Sequence, residues 1–483
     1  METKIQYMVK LRRLAGMFLM VSALCSGCSE GFLDETNPQS VGFDHIKDLK
    51  SLTAATTGVY NSFNNSNYYG RTFVVSPELF GDNSFISIRN GGRYLGHDRF
   101  TVTNGDGYVT GAWTQMNRVV ANANLAIQAG NQLTFPEGQR AAANQIMGEL
   151  YACRALAWFD MVRYFAQPYN YTEDASHLGI PLVTEPPGVI ISPSRGTVAE
   201  AYTHIVADLL RAEELLGSAK KNGYFNKAGA QALLAKVYLY MEDWENAEIY
   251  ATKVIEESAG YTLLSNADYV ASWGQKFSVE SILEIGMLPT DNNGANSIGY
   301  LSEQGGYGEW LATKELYDTY SQTDIRRNLI VPGSRENAES EAYFIKKYPL
   351  GASSRDDNIK VLRLSEVYLI RAEARAELSK TQPDKAAGAL SDLNAIVGRA
   401  DPEASVSGLQ GDALVERIIL ERRKELAFEG NRLFDINRKK MSLVHIQTNQ
   451  IRTFEYPNNR FIMPIPYAER NANPNIQPNP GWN

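Results

Sequence analysis

The chain has 483 residues, 44% of them hydrophobic and 21% charged, a balance that can supply one large buried core or two modest ones. Its formal charge is −8, and because residues 1–27 carry four basic side chains and one acidic side chain, residues 28–483 hold −11. An acidic balance of this kind argues against nucleic acid as a partner, since nucleic-acid binders carry basic surfaces.

The first element is a short basic segment followed by the apolar run Leu14–Leu24. This run has the length of the apolar part of a signal peptide and is too short to cross a bilayer. The next four residues, C-S-G-C ending at Cys28, resemble the lipobox of bacterial lipoproteins, although Cys25 stands where that pattern usually has Leu. An ordinary secretory signal is the alternative. We predict a lipoprotein signal peptide at residues 1–27 and acyl chains on Cys28, which would hold the protein firmly on a membrane.

Helical patterns follow along the chain. Residues 53–63 and 113–127 show weak ones, and residues 141–165 show a strong one in which apolar side chains recur every three or four positions. The breadth of that stripe predicts a helix that is buried on most of its faces. Pro168 prevents the helix from continuing and begins a loop.

Two later segments are predicted to form helical hairpins. Residues 226–258 indicate two helices joined by a turn around residues 242–244, with Ala235 and Ala247 placed to let the helices approach closely, as in tetratricopeptide repeats. Residues 361–378 and 384–400 repeat the plan around Pro383. These pairs are scattered rather than in tandem, which predicts a mostly helical scaffold carrying insertions.

Three other regions lack helical periodicity. Residues 64–111 and 259–312 are rich in Gly, Asn, Ser and Tyr, and loops of this composition on a rigid frame often carry binding surfaces. The tail, residues 460–483, is too rich in Pro and Asn to be helical. It is predicted to pack as an extended segment through apolar side chains, namely Phe461, Ile462, Ile465 and Trp482.

No catalytic motif stands out. The five histidines are scattered with no HExxH string, and neither a Walker A nor a GxGxxG string is present. Asp356 and Asp357 could suggest a glycosidase pair, but neighbouring carboxylates on a polar loop are usually solvated. The string at residues 421–435 is predicted to be a helix with ion pairs along its polar side. We therefore predict a protein that is not an enzyme and needs no cofactor.

Seven strings, in a fixed order, resemble one family. They include FLDETNP, RALAWFDMVRYFAQPY, AKVYLYMEDWENAEIYA, VLRLSEVYLIRAEARAEL, ERRKELAFEGNRLFDINR and PIPYAERNANPNIQPNPGW. The chain resembles the SusD/RagB outer-membrane lipoproteins of Bacteroidetes. The resemblance implies an all-α, tetratricopeptide-like scaffold of helical hairpins with long loop-rich insertions and few short strands, as a single domain over residues 28–483. It also implies a lipid-anchored protein exposed at the cell surface, which covers a SusC-like TonB-dependent outer-membrane transporter and captures oligosaccharides.

A glycan site needs aromatic rings to stack on sugar faces and polar side chains to bind hydroxyls. The two insertions supply both, and the predicted ligand-binding residues are Tyr68, Tyr69, Asn83, Arg93, Tyr94, Asn296, Tyr300, Tyr307 and Trp310. For Tyr307 and Trp310, simple loop packing is the alternative. Calcium near residues 291–296 is conceivable, although the EF-hand spacing is absent. A peptide-binding or protein-adaptor member of the family, without glycan binding, is the second hypothesis.

Overall fold

The computed structural model describes residues 45–185, 192–257, 260–447 and 450–482. The predicted signal peptide and Cys28 lie outside these residues. From Lys47 onward the chain forms one compact unit. The helices are α1 (Leu49–Phe63), α2 (Thr72–Leu79), α3 (Leu95–Asp98), α4 (Gly107–Gln132), α5 (Glu137–Phe165), α6 (Val198–Leu215), α7 (Lys227–Met241), α8 (Trp244–Thr252), α9 (Asn266–Tyr269), α10 (Ile298–Ser302), α11 (Lys314–Asp318), α12 (Leu364–Leu378), α13 (Lys385–Ala400), α14 (Gly411–Glu425), α15 (Arg432–Arg438) and α16 (Tyr467–Ala472).

The strands are short and lie between the helices. They are β1 (Ser84–Ile86), β2 (Ser281–Ile285), β3 (Trp310–Ala312), β4 (Ile330–Gly333), β5 (Ala342–Ile345), β6 (Ile359–Arg363), β7 (Leu443–Gln447) and β8 (Gln450–Phe454). The first sheet has the antiparallel order β1-β3-β5-β4, β2 pairs with β6, and β7 with β8 forms a hairpin. The prediction of a helical scaffold with few short strands is therefore confirmed.

Helix α5 is the central element of the scaffold. Almost every side chain from Ile146 to its last residue is buried, as its broad apolar stripe predicts. It packs between α4 and α6, and Arg154 donates two hydrogen bonds, of 2.7 and 2.8 Å, to the Asp208 carboxylate on α6. A bidentate pair of this kind fixes the position of one helix against the other.

The predicted hairpin at residues 226–258 is present, and local chemistry explains its turn. The Asn226 side chain caps the start of helix α7 by accepting from the N–H of Gly229, and Glu242, directly after the helix, adopts a left-handed conformation with φ +59°. Asp243 then caps α8 by accepting from the N–H of Asn246. Each cap satisfies a backbone group that the helix end leaves unpaired.

The second predicted hairpin, α12 with α13, begins later than expected. Residues 361–363, predicted as the start of the helix, belong to strand β6. Leu362 and Ile359 are buried in the pairing with β2, so their apolar character reflects a strand face. A short apolar run does not distinguish a buried strand from a buried helix.

The charged string at residues 421–435 is helical only at its two ends, because α14 ends at Glu425, a turn follows and α15 begins at Arg432. The predicted ion pairs along one polar side are also wrong. Arg422 is fully buried and binds Glu366 at 2.7 Å and Asp435 at 2.8 Å. Glu421 binds Arg326 from another segment at 2.6 Å. These charges join elements across the core instead of decorating one surface.

Five unpredicted helices of the described chain occupy segments that sequence composition assigned to loops or extended chain, namely α2, α3, α9, α10 and α16. Helix α2 lies inside the first insertion, and because all eight of its side chains are buried, it shows no amphipathic period. Helix α16 interrupts the tail, with Pro466 at the position before its first turn. Apart from α16, the 3-10 turn at Asn459–Phe461 and two short turns, the described tail has no regular structure, and all four side chains predicted to anchor it are buried.

Candidate functional site

The two loop-rich insertions come together, as the predicted site requires. Strand β1 of the first pairs with β3 of the second, with Ser84 opposite Ala312 and Phe85 opposite Leu311. Nearby, the Asn293 side chain donates a 2.7 Å hydrogen bond to the backbone carbonyl of Asn64. Segments far apart in the sequence thus form one surface.

At this junction lies a surface that we call the ring platform, formed by Arg93, Tyr108, Tyr300 and Tyr307, all half-buried. The guanidinium carbon of Arg93 lies 3.4 Å from the centre of the Tyr307 ring, and the Tyr300 ring meets Tyr307 edge to face at 4.8 Å between centres. Arg93 also donates a 2.9 Å hydrogen bond to Glu309. This places a cation and several rings at the surface in a fixed arrangement.

Buried groups hold the platform from below. The Tyr94 ring stacks on Tyr108 with 4.0 Å between centres, and Arg71 donates to the Tyr94 hydroxyl at 3.0 Å and to the Asn296 side-chain oxygen at 3.2 Å. Burial raises the pKa of Tyr94 to about 12, so its hydroxyl stays protonated. Because Thr72 donates its own hydroxyl proton to the Ser66 carbonyl, Tyr94 donates to Thr72 at 2.8 Å.

Of the predicted site residues, Arg93, Tyr300 and Tyr307 meet at the platform, Tyr94 lies beneath it, and Asn296 is exposed beside it. The structure places the other four in the core, namely Tyr68, Tyr69, Asn83 and Trp310. The Tyr68 hydroxyl donates to Asp160, and the Trp310 indole N–H donates to the Ser84 hydroxyl at 2.8 Å. Their polar groups are therefore engaged in packing and present no surface to a ligand in this conformation.

Sequence reasoning missed several residues that build the platform. Arg71 and Tyr108 lie within the first insertion, so its composition was the available signal. Arg355 comes from a third segment, where its guanidinium carbon lies 4.4 Å from the centre of the Tyr300 ring. Arg355 has φ +60°, an uncommon conformation for a residue with a side chain. Nothing in its sequence context connects it to Tyr300.

The neighbours of Arg355 also differ from expectation. Asp356 and Asp357, predicted to be solvated, are both buried. Asp356 binds the Lys276 ammonium at 2.5 Å, whereas Asp357 accepts one hydrogen bond, from the backbone N–H of Leu350 at 3.0 Å. Burial raises the pKa of Asp357 to about 7, and the charge of Asp356 acts in the same direction.

Within the part of the chain that the structure describes, no group of three or more His, Cys, Asp or Glu side chains could hold a metal ion. No described helix is long and apolar enough to cross a membrane. In the segment considered for calcium, the Asn292 side chain donates to backbone carbonyls of its own turn, and the Asn293 side chain donates to the distant Asn64 carbonyl.

Comparison with known proteins identifies the family. Residues 299–482 match the model of the SusD family, and residues 31–239 match the model described as starch-binding associating with outer membrane. The crystal structure of a SusD superfamily protein from Bacteroides vulgatus ATCC 8482 is 30% identical, with 90% of this chain and 100% of that chain covered and a TM-score of 0.83. The chain belongs to the SusD family.

Two further relatives of this SusD-family protein cover almost its whole length. SusD-like protein P2 from Formosa agariphila is 27% identical over 99% of both chains. A putative sugar binding protein from Bacteroides vulgatus ATCC 8482 is 31% identical, covering 91% of this chain and 100% of that chain, with a TM-score of 0.82. The resemblance inferred from the seven sequence strings is confirmed, and with it the helical scaffold.

Proposed function

We propose that this SusD-family protein is a cell-surface lipoprotein that binds oligosaccharides and delivers them to a SusC-like TonB-dependent transporter in the outer membrane. Family membership supports the general role, and the putative sugar binding protein of similar fold supports the ligand class. The predicted acylation of Cys28 would supply the membrane anchor.

The ring platform is the observation that carries this proposal. Sugars present apolar faces that stack on aromatic rings and hydroxyls that bind amides and guanidinium groups. Tyr300 and Tyr307 supply rings, Asn296 supplies an amide, and Arg93 retains donors beyond the one bound to Glu309. Half-buried rings with polar neighbours on loops held by a rigid frame are typical of a binding surface.

The same geometry favours binding over hydrolysis. Glycoside hydrolysis uses two carboxyl groups that face one sugar. Glu309, the carboxylate next to the platform, already accepts from Arg93 and from the backbone N–H of Gly91 at 2.8 Å. It therefore positions the Arg93 guanidinium. Asp356 is paired with Lys276, and Asp357 is buried.

The test is glycan binding by the full-length protein in detergent, first on an array of neutral and acidic oligosaccharides and then by calorimetry. Tyr307→Ala should weaken binding about tenfold, because it removes a ring and the support of Arg93. Tyr171→Ala, which removes a partly exposed tyrosine on the scaffold, is the matched control and should leave affinity unchanged. Wild-type protein that binds no glycan, or a Tyr307→Ala variant with full affinity, would contradict the proposal.

Anchor and partner need separate measurements. Cys28→Ala should release the protein from the membrane fraction, whereas the buried Cys153 offers the control substitution Cys153→Ala, which should remain membrane-bound. Cross-linking on intact cells should join the wild-type protein to a TonB-dependent transporter. Recovery of the protein without such a transporter would argue against delivery while leaving glycan binding intact.

A further inference from the structure

The structure contains a cleft in addition to the surface at the ring platform. It lies where the C-terminal end of α1, the turn at Asn222–Tyr224 and the chain around β2 meet, and it has a volume of about 180 Å³. This volume is smaller than that of a complete small-molecule site, so the cleft has room for only part of a ligand. Asn64 lines the cleft, and its carbonyl accepts from the Asn293 side chain. The Asn293 carbonyl accepts in turn from the N–H of Asn296 at 2.8 Å, and the Asn296 side chain accepts from Arg71 below the platform. A chain of hydrogen bonds therefore connects the two sites.

Two aromatic rings face this cleft. Tyr224 and Phe277 are half-buried, and the Tyr60 ring supports Tyr224 edge to face with 4.7 Å between centres. Phe277 packs against the backbone of Gly286, where an added Cβ would lie 3.3 Å from the end of its ring. A glycine at this position leaves room for the end of the ring against the chain.

The backbone of Phe277 is held in a conformation that bulky residues rarely adopt. Its φ is +56°, in the left-handed region that residues with a side chain seldom occupy. The Phe277 N–H donates to the Glu284 carboxylate at 2.8 Å, and Asn358 donates to the same oxygen at 2.9 Å. Residues held in such conformations cluster at binding sites.

The polar rim of the cleft is made of amides. The Asn64 amide donates to the Asn61 side-chain oxygen at 3.2 Å, which leaves the Asn61 amide group and the Asn64 side-chain oxygen available. Asn222 is exposed and its side chain makes no hydrogen bond within the described chain. None of the described residues that line the cleft is charged, although the Lys221 ammonium lies 3.6 Å from the centre of the Tyr224 ring. Uncharged amides around aromatic rings match the hydroxyls and apolar faces of a neutral sugar.

We propose that this cleft is a second carbohydrate subsite, which takes neutral sugar residues of an oligosaccharide whose other part lies on the ring platform. The inference rests on the proposed function and extends it. The preferred ligand would be an oligosaccharide long enough to pass the Asn64–Asn293 contact and occupy both sites. Short fragments would bind the platform alone.

The experiment compares short and long fragments of neutral glucans, xylans, mannans and galactans, with calorimetry on the full-length protein in detergent. Phe277→Ala should weaken binding of the long fragments about fivefold to tenfold and leave short fragments unchanged. Asn222→Ala should act in the same direction by a smaller factor, and because that side chain is exposed and unbonded, the variant should fold normally. Tyr467→Ala, at an exposed ring elsewhere, is the control.

The outcomes separate this inference from the proposed function. Unchanged affinity for long fragments in both cleft variants, with wild-type binding intact, would overturn the second subsite alone. Equal losses for short and long fragments would also overturn it, because the cleft would then be part of the first site. Wild-type protein that binds none of these fragments, nor any acidic glycan, would overturn both proposals.

Discussion

The core and the ring platform use arginine in opposite ways. In the core, a group that we call the charge cluster comprises Arg326, Arg363, Arg399 and Glu425, whose side chains are at most 5% exposed. Glu425 binds the three guanidinium groups at 3.0, 3.0 and 2.7 Å. On the platform, Arg93 is 27% exposed and meets one carboxylate and one ring. Arginine bound by several buried carboxylates fixes a scaffold, whereas arginine with free donors over a ring can bind a ligand.

The most severe test of this comparison is Glu425→Gln. The substitution keeps the shape of the side chain but leaves buried guanidinium groups without their shared carboxylate, so we expect the free energy of unfolding to fall by about 3–5 kcal/mol. Glu416 lies on the same helix and is exposed, so Glu416→Gln is the control and should change it by less than about 0.5 kcal/mol. Urea unfolding measures both. Equal stability of the two variants would show that the cluster contributes little.

Low pH should reduce the difference in the free energy of unfolding between the wild type and Glu425→Gln. Although burial acts to raise it, the charges of Arg399, Arg363 and Arg326 hold the pKa of Glu425 well below its ordinary value of 4.5. A carboxyl group with a lowered folded-state pKa stabilises the fold above its unfolded-state pKa, and that stability is lost as the pH falls through the folded-state value. The gap between wild type and Glu425→Gln should therefore be constant near neutral pH and narrow below pH 4.5. A gap that does not depend on pH would contradict this account.

Asp357 shows the reverse case next to the platform. One of its oxygens is buried without a partner in the described chain, and its pKa is raised to about 7. Above that pH the folded protein holds an ionised, poorly compensated carboxylate, so Asp357→Asn should raise the free energy of unfolding at pH 8 by roughly 2–4 kcal/mol. The gain should shrink as the pH falls from 7 towards 4, because the wild-type side chain becomes protonated.

The adjacent Asp356 provides a control, because its substitution should change the stability in the opposite direction. Asp356 binds Lys276, and although burial acts to raise it, hydrogen bonds from Lys276 and Ser354 hold its pKa below the ordinary value. Asp356→Asn should therefore lower the stability at pH 8, as measured by thermal unfolding over a pH series. If both substitutions stabilise the protein, pairing with Lys276 is not what distinguishes the two carboxylates.

Trp310 tests whether the core and the platform are separate. Trp310→Phe keeps an aromatic ring in the core but removes the hydrogen bond to Ser84 and leaves a small void, so we expect a loss of about 1–3 kcal/mol in the free energy of unfolding. Glycan affinity measured by calorimetry should be unchanged. Weaker binding without loss of stability would place Trp310 in the ligand site, as the sequence had suggested.

Sequence predicted the scaffold where the signals were local. The turn between α7 and α8 depends on Asn226, Glu242 and Asp243, each of which acts on backbone groups within a few residues. Helix α2 was not predicted, because every side chain in it is buried and no polar face reveals a helical period. The start of β6 was mistaken for helix because a short apolar run fits both structures.

The site was predicted in outline, and its details depended on tertiary contacts. Composition placed it in the two insertions, but it could not separate Tyr307 from Trp310, three residues apart in one loop. Pairing of β3 with β1 buries Trp310 opposite Ile86, while Tyr307 stays at the surface under Arg93. Arg355 reaches the Tyr300 ring of α10 from a third segment of the chain. Such contacts leave no pattern in the local sequence.

The smallest expected effect is also the most specific test of the platform. Arg93→Lys keeps the positive charge and can still reach Glu309, but it removes the planar group that lies on Tyr307 and several of its donors. We expect glycan affinity to fall about threefold to tenfold, measured by calorimetry, while the free energy of unfolding changes by less than about 0.5 kcal/mol. Arg140→Lys, at an exposed pair with Glu137, is the control. Because charge is conserved in both variants, an affinity loss confined to Arg93→Lys would be due to the planar guanidinium, whereas unchanged affinity would mean that charge alone explains the role of Arg93.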